Sequence, residues 1–212
     1  ANVHTDYATF DVQFGNLTRK TFQNTSWDRA RFESCGQKWC DVSEGHYGVS
    51  VLNDCKYGHS VKEGCIGLTL IKSGVEPNPV TDQETHWFTY ALYPHAEGWQ
   101  QAGTVRQAYF VNQKALAARG GAAAPAQGLA SVDAPNVVLE TVKQAEDGDG
   151  VILRLYECDN ALTPVTLTWN RPFHAAHACN CLEEPAGEVE TAGRAIRFTM
   201  NPYEIKTIRI QW

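Results

Sequence analysis

The sequence is poor in most of what announces an enzyme or a membrane protein. Its 212 residues include one Met, carry charge at only 20% of positions and sum to a formal net charge of −6. That acidic surplus argues against nucleic acid and anionic membranes as partners, because both are held by cationic faces. No apolar run reaches the length that spans a bilayer. The start, ANVHTDYATFD, lacks the basic-then-apolar pattern of a secretory signal, as a chain cut from a longer one also would. Missing too are a G-x-S-x-G elbow, a Walker loop, a dinucleotide fingerprint and an H-E-x-x-H pair.

Cysteine is present without organisation. Cys35, Cys40, Cys55, Cys65, Cys158, Cys179 and Cys181 are odd in number and irregular in spacing, which fits reduced thiols in the cytoplasm better than a disulfide framework. Asn16-Leu17-Thr18 and Asn24-Thr25-Ser26 match the N-glycosylation tripeptide, a pattern too short to weigh against that.

What the chain does have is β patterning. Tyr7, Thr9, Asp11 and Gln13 alternate with Ala8, Phe10, Val12 and Phe14, the period of a half-buried strand. Val49 to Cys55, Ile66 to Ile71 and the aromatic run His86 to Tyr93, bounded by Pro94, continue the series. Gly45, Gly58, Gly64, Gly74 and Pro77-Asn78-Pro79 punctuate it as turns. In the ambiguous run Thr104 to Leu116, the KALAAR ending suits a short helical turn. Residues 117–128, AARGGAAAPAQG, read as a linker of low complexity. Short strands follow at Leu129–Val132, Asn136–Lys143, Val151–Cys158, Val165–Trp169 and Ala195–Met200, with an Asp147-Gly148-Asp149-Gly150 hairpin turn and a last strand over Tyr203–Trp212. The whole is all-β: a larger antiparallel β-sandwich region over 1–116, the linker, and a smaller β-sandwich over 129–212.

Candidate chemistry is sparse. Asp41 with Glu44, or Asp54 with Asp82, are carboxylate pairs of the kind glycosidases use, but Asp41 and Glu44 beside Gly45 read better as turn formers. On a strand His177, Cys179 and Cys181 would share a face, a metal alternative that lacks a fourth ligand and competes with simple burial of thiols. The loop Asn53-Asp54-Cys55-Lys56-Tyr57-Gly58-His59 offers amide, carboxylate, ammonium, phenol and imidazole within one turn, either as a site or as a self-bonded hairpin. Trp87, Phe88, Tyr90 and Tyr93 suit sugar stacking, yet rings on a strand more often fill a core. His86 and His95, flanking that strand, read as structural hydrogen-bonders.

Several segments are specific enough to carry a resemblance. They are Asn24-Thr25-Ser26-Trp27-Asp28 with Ala30-Arg31-Phe32-Glu33, Asp41-Val42-Ser43-Glu44 through Lys56-Tyr57-Gly58, and Phe88-Thr89-Tyr90-Ala91-Leu92-Tyr93-Pro94-His95. Val138-Leu139-Glu140-Thr141 to Leu153-Arg154-Leu155-Tyr156-Glu157 and the closing Pro202-Tyr203-Glu204-Ile205-Lys206-Thr207 complete the set. Together they resemble the C-terminal β region of the α-mannosidases of glycoside hydrolase family 38, in the cytosolic or vacuolar and bacterial branch. The resemblance implies a supersandwich-like, galactose-mutarotase-like first domain. It also implies a retaining α-mannosidase whose zinc (or other divalent metal) and catalytic carboxylates lie in an N-terminal catalytic domain, the partner of this region. No catalytic residue and no cofactor are then expected here, and the fragment alone is expected to be inactive.

Mannosyl oligosaccharide would be the substrate of the parent; homo-oligomerisation stays open. Residues lent to the substrate floor are expected at Asn53, Asp54, Lys56, Tyr57, Lys72, Asp82 and His86. Two departures from the family pattern fall there: Ile71-Lys72-Ser73-Gly74 stands for Leu-Arg-Ser-Pro, and Asp82-Gln83-Glu84-Thr85-His86 lacks Gly at its third position. Lys at 72 forfeits the bidentate fork of Arg. The competing class is a stand-alone carbohydrate-binding β-sandwich module.

Overall fold

In the computed structural model, which describes residues 1–117, 119 and 128–212, the chain divides into two compact units, Ala1–Ala117 and Ala118–Trp212. Of the expected linker, residues 118 and 120–127 lie outside the described residues. Among the described residues no helix is long and apolar enough to cross a membrane.

The first unit holds β1 (Tyr7–Val12), β2 (Gly15–Lys20), α1 (Ser26–Ala30), β3 (Ser34–Cys35), β4 (Trp39–Ser43), β5 (Tyr47–Asn53), β6 (Gly58–Lys62), β7 (Cys65–Thr69), β8 (Tyr90–Ala96) and α2 (Thr104–Asn112). Five strands make an antiparallel sheet in the order β2-β1-β4-β5-β8, and three more make a second sheet, β3-β6-β7. Register divides the large sheet into two faces. Phe10 pairs with Cys40, and Val42 with Val49; with Val3 and Ala8, residues Phe10, Cys40 and Val42 form a core closed by Val61 and Ile66 of the small sheet. The opposite face carries Trp39, Asp41, Ser50 and Leu52 under α2, which packs on β4, β5 and β8. Trp39 lies against Trp99 with ring centroids 5.0 Å apart.

The second unit holds β9 (Ala130–Val132), β10 (Val137–Gln144), β11 (Val151–Glu157), β12 (Thr163–Trp169), β13 (Ala175–Cys179), β14 (Pro185–Glu188), β15 (Glu190–Ala192), β16 (Ala195–Met200) and β17 (Ile205–Gln211). Its two antiparallel sheets, β10-β11-β17-β13-β14 and β15-β16-β12-β9, share a core of Val137, Leu153, Leu155, Val165, Leu167, Trp169, Ile196, Met200, Ile208 and Ile210. The antiparallel sandwich reading thus stands. The expected hairpin turn is pinned from a third strand: the Arg209 guanidinium donates to both carboxylate oxygens of Asp147, at 2.6 and 2.7 Å, and to the Asp149 carbonyl at 2.9 Å from Nε. Glu157 is wholly buried and satisfied, accepting from Asn136 Nδ2 at 2.9 Å and from the backbone N–H groups of Asp159 (2.7 Å) and Tyr203 (2.9 Å).

Several expectations need correction. β1 is covered on both sides, since Thr9 and Asp11 are buried along with Ala8 and Phe10. Asp11 is held by Lys38, whose backbone N–H and ammonium lie 2.9 and 3.1 Å from Oδ2. The aromatic strand begins at Tyr90 rather than His86 and runs through Pro94, which the outermost position of β8 in its sheet tolerates. Residues 104–112 form the helix, while the described part of KALAAR does not continue it. Cys55 lies beyond β5 and is exposed. Among the described residues no disulfide forms, and all seven cysteines are thiols.

His59, on β6, is fully buried edge-on to Phe10, with ring centroids 6.2 Å apart. Its Nδ1 faces the Tyr57 carbonyl at 3.4 Å, so Nδ1 carries the proton, while Nε2 has no hydrogen-bond partner. Burial lowers its affinity for a second proton, against smaller opposing effects of the Tyr57 carbonyl and Glu33. A ring whose pKa is lowered in the fold costs nothing above the ordinary value of 6.5, where it is neutral in both states. As the pH falls below that value the unfolded chain takes up the proton first and stability declines, by at most about 1.4 kcal/mol per pH unit. Thermal melts between pH 7.5 and 5 are therefore expected to show an acid-side decline that flattens in His59→Leu; an equal slope in both proteins contradicts this account.

Candidate functional site

The two segments expected to carry function meet at one end of the first unit's large sheet. Asp54 follows β5 and Thr89 precedes β8; their backbones bond, with the Asp54 N–H 3.2 Å from the Thr89 carbonyl, and Asp54 Oδ1 accepts the Thr89 N–H at 2.9 Å. Desolvation is the largest single effect and works against it, but the hydrogen bonds from Thr89 and Cys55 together hold the Asp54 carboxyl below its ordinary range. The Lys56 ammonium sits 4.9 Å from the centre of the half-buried Phe88 ring, a cation–π contact that ties the two loops again.

Asn53 lies behind this surface. It is buried, its amide donates to the Gln37 carbonyl at 2.7 Å, and its Oδ1 accepts the Lys56 N–H at 2.6 Å. Its carbonyl accepts from Asn112 at the end of α2, 2.9 Å away. It shapes the loop and presents nothing to solvent. Tyr57 is exposed, and its carbonyl accepts the Gly36 N–H at 3.0 Å. Lys72 and Asp82 are exposed on an irregular stretch, 70–89, where Asp82 takes a left-handed φ of 59°. His86 Nε2 reaches the Asp82 carbonyl at 2.9 Å. The structure therefore joins Asn53, Asp54 and Lys56 to the start of β8 and joins His86 to Asp82.

The rings divide differently from expectation. Phe88 and Tyr93 are half-buried, but Trp87 is 89% exposed and Tyr90 56%. A strand that begins only at Tyr90 leaves Trp87 on the irregular approach, with no sheet face to fill.

A second polar cluster sits under α2, and sequence reasoning placed only part of it. Asp41, 1% exposed, lies in the middle of β4 and serves no turn; Glu44 does, its N–H bonding the Tyr47 carbonyl at 2.9 Å and its carboxylate taking the His4 N–H at 2.7 Å. Asp41 Oδ2 accepts from His95 Nε2 at 2.8 Å and from the Ser50 hydroxyl at 2.7 Å, while Ser43 donates to Oδ1. Ser50 Oγ also lies 3.1 Å from the hydroxyl of Thr104, the first residue of α2. The other nitrogen of His95 faces the Glu97 carbonyl at 3.2 Å, so the ring is fixed at both ends. A side chain at Gly48 would overlap the His95 ring and the Ser43 hydroxyl, which explains the glycine.

Serine, histidine and aspartate are the members of a nucleophilic triad, but here Ser50 donates to the carboxylate and is wholly buried. No substrate reaches it, and the cluster is structural. The signal that finds it is Asp41, Ser43, Ser50 and His95 falling on one face once the β4-β5-β8 register is known.

In the second unit His177 and buried Cys179 stay in unbroken register with Arg209 and Thr207 of β17 and so share one side of β13; the irregularity there lies on β14, where Ala186 is skipped in the pairing. Cys181 falls beyond the strand end and is exposed, so it is Cys181 alone that leaves the face expected for the three. Among the described residues no three His, Cys, Asp or Glu side chains are grouped to hold a metal ion.

Comparison with known proteins gives this geometry a context. Residues 1–80 match the family described as "Glycosyl hydrolases family 38 C-terminal domain", and residues 136–208 match "Glycosyl hydrolases family 38 C-terminal beta sandwich domain". Alpha-mannosidase 2C1 of Homo sapiens is 40% identical over 215 residues, covering 98% of this chain and 21% of that protein. Alpha-mannosidase G of Dictyostelium discoideum is 36% identical, covering 95% of this chain and 19% of that protein. A crystal structure of an alpha-mannosidase from Enterococcus faecalis V583 superposes with a TM-score of 0.77 at 22% identity, covering 98% of this chain and 24% of that one, a likeness of fold. The chain thus spans about a fifth of the length of these curated relatives.

The buried cluster makes a direct prediction. Asp41→Ala leaves His95, Ser50 and Ser43 facing a void and is expected to cost about 3–5 kcal/mol in urea unfolding. Glu44→Ala, at the partly exposed turn, is expected to cost less than about 1.5 kcal/mol. A loss at Asp41 no larger than at Glu44 shows that the cluster does not hold the unit together.

Proposed function

This chain belongs to the C-terminal region of glycosyl hydrolase family 38, whose two domain models it matches in turn, and we propose that it is the non-catalytic β portion of a longer, retaining α-mannosidase. One observation carries the reading: the chain matches its relatives almost end to end yet amounts to 21% of the length of one and 19% of another. The chemistry agrees. A retaining glycosidase needs two carboxylates facing one substrate. Here Asp11, Asp41 and Glu157 are buried and bound by internal partners.

On this reading the two catalytic carboxylates and the divalent metal belong to an N-terminal catalytic domain. The described residues of this chain offer no grouping that fits a metal, so none of its own side chains is given a role toward it. Terminal α-linked mannose is the substrate of the whole protein, and the cytoplasm, suggested by seven thiols without a disulfide, is its compartment. Lys56, Tyr57, Lys72, Asp82 and His86 are proposed to border the substrate floor, with Asp54 and Asn53 bracing the loop from which the first two project. A stand-alone carbohydrate-binding module is not favoured, because the relatives carry this region within hydrolases.

The test pairs a mannosidase assay on this polypeptide, with and without added zinc, with the same assay on the chain extended N-terminally from its own gene. An inactive short chain and an active long one are expected; turnover by the short chain overturns the reading. In the long form Tyr57→Ala is expected to raise KM roughly tenfold, the loss of about 1.4 kcal/mol of substrate binding. An unchanged KM removes the loop from the floor.

A further inference from the structure

Two of the segments that carry the family resemblance meet in the small sheet of the first unit. Ala30-Arg31-Phe32-Glu33 leads into β3, and Lys56-Tyr57-Gly58 leads into β6. Cys35 pairs with Gly58 and Gly58 with Thr69, so Gly58 lies between β3 and β7. Glu33 stands one step before the Ser34–His59 pair. Its half-buried side chain crosses β6 to the far strand, where Oε1 accepts the Thr69 hydroxyl. Two strand spacings, about 10 Å, separate β3 from β7, so this bond needs a long acceptor at position 33 and nothing bulky in between.

Gly58 is what leaves that passage open. A Cβ there would lie 2.3 Å from Glu33 Oε1 and 3.0 Å from its Cδ, with the Thr69 Cβ at 3.1 Å. The backbone of Gly58 is not in the left-handed region, so the glycine answers to the carboxylate above it and not to its own φ. A glycine in a strand commonly marks such a close approach. Alanine at this position would chiefly displace the end of a flexible side chain, leaving the path of β6 compatible with the fold.

Tyr57 immediately precedes this crossing and is 54% exposed. Its carbonyl accepts the Gly36 N–H at 3.0 Å and faces His59 Nδ1 at 3.4 Å. On its N-terminal side the Lys56 N–H is held by Asn53 Oδ1 at 2.6 Å. On its C-terminal side Gly58 is gripped by register from both neighbouring strands and by the Glu33–Thr69 bond that passes over it. With the backbone fixed on either side, the phenol keeps only its own side-chain torsions. Preorganisation of this kind lowers the cost of engaging a ligand, and a small misplacement of a contacting group forfeits much of its contribution.

We infer that Glu33, through its bond to Thr69 over Gly58, is a positioning residue that holds Tyr57 in place for the terminal mannosyl unit of the substrate. The inference rests on the function proposed above, which puts Tyr57 at the substrate floor. Glu33 itself touches no substrate. Its part is geometric: an acceptor oxygen for Thr69 is required at this position, and a negative charge is not.

Steady-state kinetics of the N-terminally extended protein on a p-nitrophenyl α-mannoside test this. Glu33→Ala is expected to raise KM roughly threefold with kcat little changed, a part of the loss expected for Tyr57→Ala. Glu33→Gln keeps an acceptor for Thr69 and is expected to stay within roughly twofold of the unaltered protein. Gly58→Ala, which displaces the carboxylate, is expected to match Glu33→Ala, and the two together to add nothing. Nor is Glu33→Ala expected to raise KM further in a Tyr57→Ala background. Amide exchange over residues 57–60 of the short chain is expected to be several-fold faster in Glu33→Ala and unaltered in Glu33→Gln. An unchanged KM in Glu33→Ala, whatever its melting temperature, overturns the inference and leaves the substrate floor standing. So does a Gln variant as impaired as Ala, or an equal effect of Glu33→Ala with and without Tyr57. If Tyr57→Ala itself leaves KM unaltered, the loop's place at the floor falls and the positioning role with it. An inactive long protein refutes the proposed function and this role together; unaltered exchange in Glu33→Ala beside an active long protein refutes the role alone.

Discussion

The first unit depends on one buried charge and the hydrogen bonds around it. An isolated carboxylate at the position of Asp41 would be prohibitively expensive to desolvate. It survives there because His95, Ser50 and Ser43 all donate to it, and Thr104 extends the network to the start of α2. Those donors come from β8, β5 and β4, so the carboxylate is satisfied only when the three strands are in register, and Thr104 ties Ser50 to the helix. An apolar residue would pack there without selecting among registers. The polar cluster specifies where β8 and α2 sit, and β8 in turn sets where the Asp54–Lys56 loop is placed.

The second unit uses the same device twice in a simpler form. Arg209, in the central strand β17, reaches over the β10-β11 turn and holds Asp147 by both oxygens. The Arg209 hydrogen bonds, with smaller help from the Asp149 backbone N–H, hold the Asp147 carboxyl below its ordinary range. Glu157 at the end of β11 gathers Asn136, Asp159 and Tyr203, and so supports Tyr203 in its left-handed backbone conformation, φ 55°. In both units an acidic or basic side chain fixes a register or a turn that apolar packing leaves free to slip.

This explains how much was legible in the sequence. Strands whose signal is local alternation and hairpin chemistry came through: β1, β16 and the hairpin at 147–150 sit where the pattern puts them. The family segments carried the sandwich architecture and the resemblance itself. Asp41 misled, because a carboxylate three residues from another and four from a glycine has every local mark of a turn former. Only the pairing of Asp41 with Ser50, and of Gly48 with His95, reveals a buried site. Trp87 misled in the opposite sense, since large rings near a strand belong to cores on average and its exposure depends on where β8 begins. The end of β13 before Cys181 and the edge tolerance of Pro94 are likewise properties of pairing, absent from any local window.

The distribution of polar and apolar groups is then the inverse of what a glycosidase site requires. In an active cleft carboxylates face the substrate and hydrophobic residues support them from behind. Here Asp41, Asp11 and Glu157 face inward and are neutralised or saturated, while Trp87, Tyr90 and Leu92 face outward. Chemistry needs ionisable groups that change state during turnover; these are locked into networks whose loss would unfold the strands they hold. A region built this way contributes by being rigid and by presenting surface. The loop from Asn53 to Tyr57 marks the junction of the two roles. Its inner end is bolted to Gln37 and Asn112, and its outer end exposes a phenol and an ammonium. A substrate-facing side chain on that loop would inherit its precision from the buried carboxylate on β4, the strand paired with β5 from which the loop leaves.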